Sequence, residues 1–436
     1  MNSRIPGFAG MAPAARRVLL EERLGLPPGA LGPDFRGDPA DPDRLDTRSE
    51  GVVGALVLPL SVAPNFRVDG HDAFVPMATE ESSVVAAATR GALLLRDGEG
   101  IATRVPARRA AGQVQLRGVE GGAREDAIRR VEAAREDLAA AARADHPAWA
   151  SGGGDLLEVR CYPAGDDLVA LLVADPGRAM GANLMTDLCE RLASRLEALS
   201  GGRAGLRIVT NAWEGPPVRA DGQVEVRRLH RDPGRAQAIA EGVEAASRLA
   251  ETDPRRAVTH NKGIFNGIDA VLAACGQDVR AAEAAGHAYA AREGRYGPLA
   301  RWRVREGRLA GTLEVPLPVG TIGGAVEGRA TVRAAFRLMG IDATRDPARL
   351  ASVTVACGLA QNLAALTALA GDGLLDGHLR LHARNVAEAM GATPAEVAAV
   401  AARLKDEGGR AGRSRVAALL KALRGAERPG GDGERR

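Results

Sequence analysis

The sequence predicts an α+β protein, with a large mixed α/β domain, an inserted ferredoxin-like (βαββαβ) domain and a small helical C-terminal flap. Three observations carry that prediction. Residues 113–211 switch between strand and helix periodicity in the order β-α-β-β-α-β, the split unit of ferredoxin-like folds. The sequence on either side does not continue that pattern, and 436 residues are too many for one ordinary core. From about Leu374 the chain turns into short, Ala-rich helical pieces.

Before the inserted unit, residues 1–107 hold an N-terminal helix, strand-like runs at Val52–Leu60 and Phe66–Val75, and a helix starting at Ser82. Inside the unit, Gln113–Val119 alternates as a half-buried strand, and residues 124–144 have helical spacing through Ile128, Val131 and Leu138. Leu156–Tyr162 and Leu168–Ala174 pair as strands around a turn at Pro163–Asp167. Leu184, Leu188, Leu192, Leu196 and Leu199 mark one helix face, and Leu206–Thr210 is the last strand. After the unit, Arg235–Leu249, Ala281–Ala290 and Pro347–Leu369 read as helices, and Glu306-Gly307 turns a hairpin between Trp302–Val304 and Leu309–Val315. Thr393-Pro394-Ala395-Glu396 is a capping box with Pro at the first helical position. The expected division is 1–107 and 214–373 for the large domain, 108–213 for the insert, 374–424 for the flap and 425–436 for a disordered tail.

Composition removes several function classes. A net charge of +3 with interleaved signs leaves no nucleic-acid footprint. No apolar run reads as the roughly 20 residues of a membrane span, and the start lacks a signal-peptide pattern. Cys161, Cys189, Cys275 and Cys357 are far apart without a C-x-x-C pair, which suits reduced thiols in the cytoplasm and disfavours zinc. The P-loop motif G-x-x-x-x-G-K-[ST] is absent, and so is G-x-G-x-x-G between strand and helix. A dinucleotide, if bound, is bound without the usual doubly wound fold.

Of 58 basic residues only three are lysines, and two of those, Lys405 and Lys421, lie on solvated C-terminal helices. Lys262, in Thr259-His260-Asn261-Lys262-Gly263, is the internal one. In a chain that otherwise uses Arg, it suggests chemistry needing a compact, three-donor charge whose pKa neighbours can move; the bland alternative is a surface survivor. Glu81 precedes an apolar helix and reads either as helix-end charge complementarity or as chemistry. Asp278 reads as a cap or a functional acid, and His382 as a structural or catalytic imidazole. Ala179–Asn183 opens a helix whose free amides suit phosphate, and Gly320–Gly324 is a close-approach loop or a bend.

Taken in order, Thr79-Glu80-Glu81, Ala179-Met180-Gly181-Ala182-Asn183, the Thr-His-Asn-Lys-Gly-Ile-x-Asn-Gly segment at 259–267, Gly-x-x-Gly-Gly at 320–324 and Leu381-His382-Ala383-Arg384-Asn385 closely resemble 3-hydroxy-3-methylglutaryl-coenzyme A reductases of the soluble bacterial class II. The resemblance runs from about Arg4-Ile5-Pro6-Gly7-Phe8 to about Gly425. It implies that Glu81, Lys262, Asp278 and His382 are catalytic, and that Arg256, Asn266, Gln361 and Asn362 lie toward the substrate. It further implies a nicotinamide cofactor on the inserted domain, at Met180, Gly181, Ala182, Asn183, Gly320, Gly323 and Gly324. Asp145 matches the acid that meets the cofactor ribose in NADH-using members; a carboxylate accepts from a free 2′-hydroxyl and repels a 2′-phosphate, so NADH is expected and NADPH is the alternative. Two positions depart from the family pattern: Arg178 stands where Asp is usual, and Gly51 where Asn is usual.

The resemblance implies interconversion of HMG-CoA with mevalonate and coenzyme A through bound mevaldehyde, by two hydride transfers, in either physiological direction. Lys262 would face the developing oxyanion. His382 would protonate the leaving thiolate, and Glu81, coupled through Asp278, would protonate the second oxygen. A homodimer or higher assembly with the site between subunits is expected, with no membrane or nucleic-acid partner. Two rivals differ in class. A coenzyme-A-ester hydrolase would need a nucleophile beside Lys262, and no Gly-x-Ser-x-Gly or Cys-His pairing is present. A non-catalytic thioester-binding protein would be favoured by loss of Lys262, Glu81 or His382, and all three are present.

Overall fold

A computed structural model describes residues 2–31, 49–323, 326, 328–341, 345–371, 386–407 and 412–426. In chain order the elements are α1 (Pro13–Leu24), β1 (Leu60–Val68), β2 (His71–Ala78), α2 (Ser82–Leu95), β3 (Ala102–Arg104), β4 (Ala110–Arg117), α3 (Ala123–Ala133), α4 (Arg135–Asp145), α5 (Pro147–Ser151), β5 (Asp155–Ala164), β6 (Asp167–Asp175), α6 (Ala182–Ser200) and β7 (Arg203–Thr210). There follow β8 (Val218–Glu225), α7 (Pro233–Thr252), α8 (Pro254–Ala274), α9 (Val279–Ala290), β9 (Ala300–Arg305), β10 (Arg308–Val315), α10 (Ala330–Leu338), α11 (Pro347–Ala370), α12 (Pro394–Glu407) and α13 (Arg413–Ala426).

The insert is a four-stranded antiparallel sheet in the order β5-β6-β4-β7, the ferredoxin-like arrangement expected from its periodicity. Its core is apolar, with Val114, Leu116, Leu172, Leu188 and Leu192 at 0–1% exposure. The expected single helix at 124–144 is two, meeting at Ala134, whose backbone leaves the helical region (φ −81°, ψ 10°).

A second sheet, β3-β8-β10-β9, belongs to the large domain, and the predicted hairpin at Glu306-Gly307 is its β9–β10 edge. Glu306 and Gly307 both have positive φ (48° and 71°), as a two-residue turn with the native twist requires. The run at Phe66–Val75 is not one strand but the β1–β2 hairpin, turned at Asp69-Gly70 with φ of 52° and 76°. Val52–Leu60 does not become a strand; the sheet begins only at Leu60, and Val53, Leu56 and Val57 are exposed with no ladder partner among the described residues.

The large core is organised by α11, which is buried along most of its length and packs on α2, α7, α8 and β8. It is long and apolar enough to cross a membrane by length and composition, against the reading of the sequence, but here it is a core helix buried on all sides. Two glycines let its neighbours come close at one level. A Cβ at Gly91 of α2 would overlap the Ala360 carbonyl, and one at Gly267 of α8 would sit 2.9 Å from the Gln361 Cβ. Helices α2 and α8 are thus held against adjacent residues of α11, which brings Glu81 and Lys262 to one place. In the C-terminal part the capping box forms as expected: the Thr393 N–H donates to Glu396 Oε2 at 2.7 Å, and the Glu396 N–H to Thr393 Oγ1 at 3.3 Å.

Candidate active site

Glu81 occupies the N-cap position of α2 in an extended conformation, yet its side chain does not cap the helix. Oε1 accepts from Ser83 Oγ at 2.6 Å, and the Glu81 N–H donates to Thr79 Oγ1 at 3.2 Å. So held, the carboxylate turns away from the helix end, and Oε2 lies 3.9 Å from Lys262 Nζ. The pair is open: the Lys262 side chain is 66% exposed and that of Glu81 37%.

Lys262 stands in the first half of α8, a 21-residue helix that propensity does not announce. Gly263, Gly267, Thr259, His260 and Asn266 are all poor helix formers. Packing decides instead: Ala257, Ile264, Phe265, Ile268 and Val271 are buried at 0–2% exposure. The helix starts cleanly, with Asp253 accepting from the Arg255 N–H at 3.0 Å and Pro254 at the first position. Asn266 follows Lys262 by four residues and shares its face.

The other sequence candidates separate into groups. Asp278 caps α9, accepting from the Ala281 N–H at 3.2 Å and pairing with Arg280 at 3.2 Å. Among the described residues no ion pair joins it to Lys262 within one chain. His382 and Gly324 lie outside the described residues. Arg256 is half-buried, its pKa lowered by burial, and among the described residues no carboxylate pairs with it. Gln361 is 4% exposed, and its buried Oε1 has no hydrogen-bond partner among the described residues. Asn362 is committed inward: Oδ1 accepts from Trp302 Nε1 at 2.7 Å, and Nδ2 lies 3.3 Å from His260 Nε2.

The two glycine-rich segments meet. Gly320 packs on the backbone of Ala179 and Met180 so tightly that a Cβ would overlap it, and the Thr321 N–H donates to the Arg178 carbonyl at 2.9 Å. Gly181, with φ 110°, opens α6 and lies against Ala110 and Pro176 where no Cβ fits. The N–H groups of Ala182 and Asn183 are therefore at the free end of a 19-residue helix, an anion-binding geometry. Met180 borders a cleft between the inserted sheet and the large domain, lined also by Arg109, Thr210, Trp213, Ala285 and Pro318. Asp145, at the end of α4, is exposed and acts electrostatically on Arg191 of α6; Arg191 pairs with Asp187 at 2.9 Å, and Asp187 Oδ2 lies 3.1 Å from His146 Nε2. Gly323 also has positive φ (83°).

Sequence reasoning missed the residues that brace these groups. Arg108 donates to the carbonyls of Gly177, Ala179 (2.7 Å) and Val319, tying both glycine segments together; burial pushes its pKa down to about 10. Gln277, beside Asp278, accepts from the Gly320 N–H at 2.8 Å. His260, under Lys262, is 1% exposed, and burial lowers its pKa to about 4, with Arg256 the second cause. Arg108 and Gln277 carry no motif, so nothing in the sequence distinguished them, and His260 was noticed only as part of the segment around Lys262. All four cysteines are free and buried, and burial pushes Cys161 up to about 11 and Cys189 and Cys357 up to about 12, so none is a ready nucleophile.

The profile for hydroxymethylglutaryl-coenzyme A reductase matches residues 13–383. The 3-hydroxy-3-methylglutaryl-coenzyme A reductase of Archaeoglobus fulgidus is 37% identical over 405 residues, 91% of this chain and 89% of the relative. A probable reductase of the same name from Borreliella burgdorferi is 30% identical over 359 residues, 81% of this chain and 80% of the relative. Among solved structures, the Streptococcus pneumoniae reductase superimposes with a TM-score of 0.79 at 34% identity, covering 96% of this chain and 99% of that one. The class II reductase of that organism bound to NADPH in open conformations gives 0.78 at 35% identity, covering 84% of this chain and 99% of that one. The chain belongs to the hydroxymethylglutaryl-coenzyme A reductase family.

Proposed function

We propose that this reductase acts at the Lys262–Glu81 centre, taking two hydrides from NADH in preference to NADPH to convert HMG-CoA into mevalonate and coenzyme A. The observation that carries the reading is the approach of Lys262 Nζ to Glu81 Oε2 at 3.9 Å, on helices brought together by α11. Lys262 supplies a cation for the oxygen that gains charge when hydride reaches the thioester carbonyl. Glu81, hydrogen-bonded to Ser83 and beside the ammonium, supplies the proton for the second alkoxide. Arg256, half-buried without a carboxylate partner among the described residues, suits the free carboxylate of the hydroxymethylglutaryl group, with Asn266 and Gln361 alongside. His382 is assigned the proton for the departing thiolate on the family's pattern.

The nicotinamide cofactor belongs at the Met180–Asn183 end of α6 against Gly320 and Gly323, its pyrophosphate on the free amides and its reactive ring in the adjoining cleft. Asp145, whose charge acts on Arg191 further along α6, favours NADH over NADPH by repelling a 2′-phosphate. The division at 108–213, with flanking large-domain parts and a C-terminal flap, is part of this reading. So is a homodimer: the Lys262–Glu81 pair is open, Asp278 does not reach it within one chain, and Val53, Leu56 and Val57 are exposed apolar residues on one segment. Four unpaired thiols suit the cytoplasm.

The test is oxidation of reduced nicotinamide by purified protein with HMG-CoA, with NADH and NADPH in parallel. Two cofactor molecules oxidised per mevalonate formed, faster with NADH, is the expected result. Oxidation with NADPH alone would remove the role given to Asp145. Thioester hydrolysis without oxidation would favour the hydrolase reading.

A further inference from the structure

The chemistry above makes no use of one acid on the helix that carries Lys262. Asp269 follows Lys262 by seven residues and Asn266 by three, so it borders their face of α8. On its other side it belongs to a row with Asn261 and Phe265, spaced four residues apart, that meets α9 and the loop after it. Asn261 Nδ2 donates to Tyr296 Oη at 3.1 Å and to the Gly297 carbonyl at 2.9 Å. The Phe265 ring occupies the space where a Cβ on Gly286 would stand. Continuing that register, the Asp269 carboxyl comes within hydrogen-bonding reach of the Glu283 carboxyl. As the row runs from 261 to 269 its partners run back from 297 to 283, so α9 lies antiparallel along α8. Asp269 closes the end of that seam, on the border of the Lys262 face. Among the described residues its buried Oδ1 has no other hydrogen-bond partner.

A hydrogen bond between two carboxyl groups requires that one of them carry a proton. Two carboxylates in contact and out of water do not both ionise unless cations intervene. The groups that act on Asp269 are Glu283 from α9 and Lys262 from α8 itself; α2, α7, α10, α11 and β2, which also pack on α8, add no charge to it. We propose that Asp269 and Glu283 share one proton and act as positioning residues for Lys262, clamping α9 to α8 and leaving a single negative charge at the border of the catalytic face. This rests on the reading of Lys262 as the catalytic cation. Burial and Glu283 push Asp269 up to about 8, while Lys262 opposes them. Above that pH the proton leaves, the carboxylates repel, and the seam that fixes the Lys262 face loosens.

Asp269→Asn keeps a donor toward Glu283 without a proton to lose, and Asp269→Leu keeps the bulk without any donor. The experiment measures kcat and KM for HMG-CoA from about pH 6 to about pH 9.5. It also follows the aspartate side-chain carboxyls by ¹³C NMR in the intact protein. Wild type should lose turnover with a midpoint near about 8. Asp269→Asn should keep at least about a third of neutral-pH turnover and move that midpoint up by at least about one pH unit. Asp269→Leu should lose at least about tenfold in kcat with KM changed by less than about threefold. One aspartate carboxyl should titrate near about 8 in wild type and be missing from Asp269→Asn. An unchanged midpoint in Asp269→Asn, or no aspartate titrating in that range, overturns the proposal. An active Lys262→Ala variant would instead overturn the catalytic reading, and the NMR titration would then decide the shared proton by itself.

Discussion

The inserted sheet and the α8–α11 region treat polar groups in opposite ways. The core under β4–β7 is apolar throughout, and the cofactor site proposed there uses backbone at the start of α6 plus an exposed carboxylate, Asp145. In the other region polar side chains are built into the core: His260, Asn261, Gln361 and Asn362 are all 0–4% exposed, and Asp269 borders them. Buried polar groups cost free energy unless partnered, and partnered they fix geometry. Holding a dinucleotide needs helix ends and small residues on an ordinary scaffold. Placing a cation to within a fraction of an ångström of a reacting oxygen needs braced side chains. Variants of the second region should therefore change turnover, and variants of the first should change cofactor choice.

The largest contrast is expected at Glu81. Glu81→Gln removes the proton for the alkoxide and should slow reduction of added mevaldehyde by roughly 10²–10⁴-fold. Affinity for the cofactor, read by its quenching of tryptophan fluorescence, should change little, because Glu81 is on α2 and the proposed cofactor site is on α6. A large change in cofactor affinity would break the division between the two regions. Arg256→Leu comes next: loss of a charge-assisted bond to the substrate carboxylate is worth about 1.5–3 kcal/mol, so KM for HMG-CoA should rise roughly 10- to 100-fold. If only kcat falls, Arg256 does not bind that carboxylate.

Smaller effects test the first region. Asp145→Ala should narrow the NADH-to-NADPH ratio of kcat/KM by at least about tenfold, about 1.4 kcal/mol, without lowering turnover with the poorer cofactor. The smallest effect concerns stability. His260 keeps its neutral form until about pH 4, whereas unfolded chain takes the proton near 6.5. The stability is fully present above about 6.5 and is lost as pH falls toward about 4. Melting temperature should therefore drop across that window in wild type, and His260→Gln should melt lower but with a flatter pH dependence. A wild-type curve without that slope would mean that His260 titrates normally.

How much of this was legible in the sequence follows the same division. The insert was readable because its apolar residues keep a strict period: Leu184, Leu188, Leu192 and Leu196 gave α6, and alternating strands gave the sheet order. The candidate catalytic residues were picked out through the rarity of Lys and through family resemblance, not through local structure. Helix α8 itself was not read, because its glycines and polar residues obey packing against α11 rather than propensity. The β1–β2 turn was missed although Asp69-Gly70 is a strong turn pair, since apolar residues continue through both strands. Val52–Leu60 has strand composition, but only Leu60 enters a strand. Arg108, Gln277 and Asp269 depend on contacts between segments 43 to 211 residues apart or on one helix pairing, which no local pattern encodes.

The most direct test of the Lys262–Glu81 centre is the rate of NADH oxidation with HMG-CoA by Lys262→Arg, measured beside wild type at neutral pH. Arg keeps the charge but not the compact ammonium that sits 3.9 Å from Glu81. The account predicts a loss of at least about 10²-fold in kcat, in line with removing a donor to a developing oxyanion, with the fold and cofactor binding retained. An arginine variant that keeps about a third or more of wild-type turnover would contradict it.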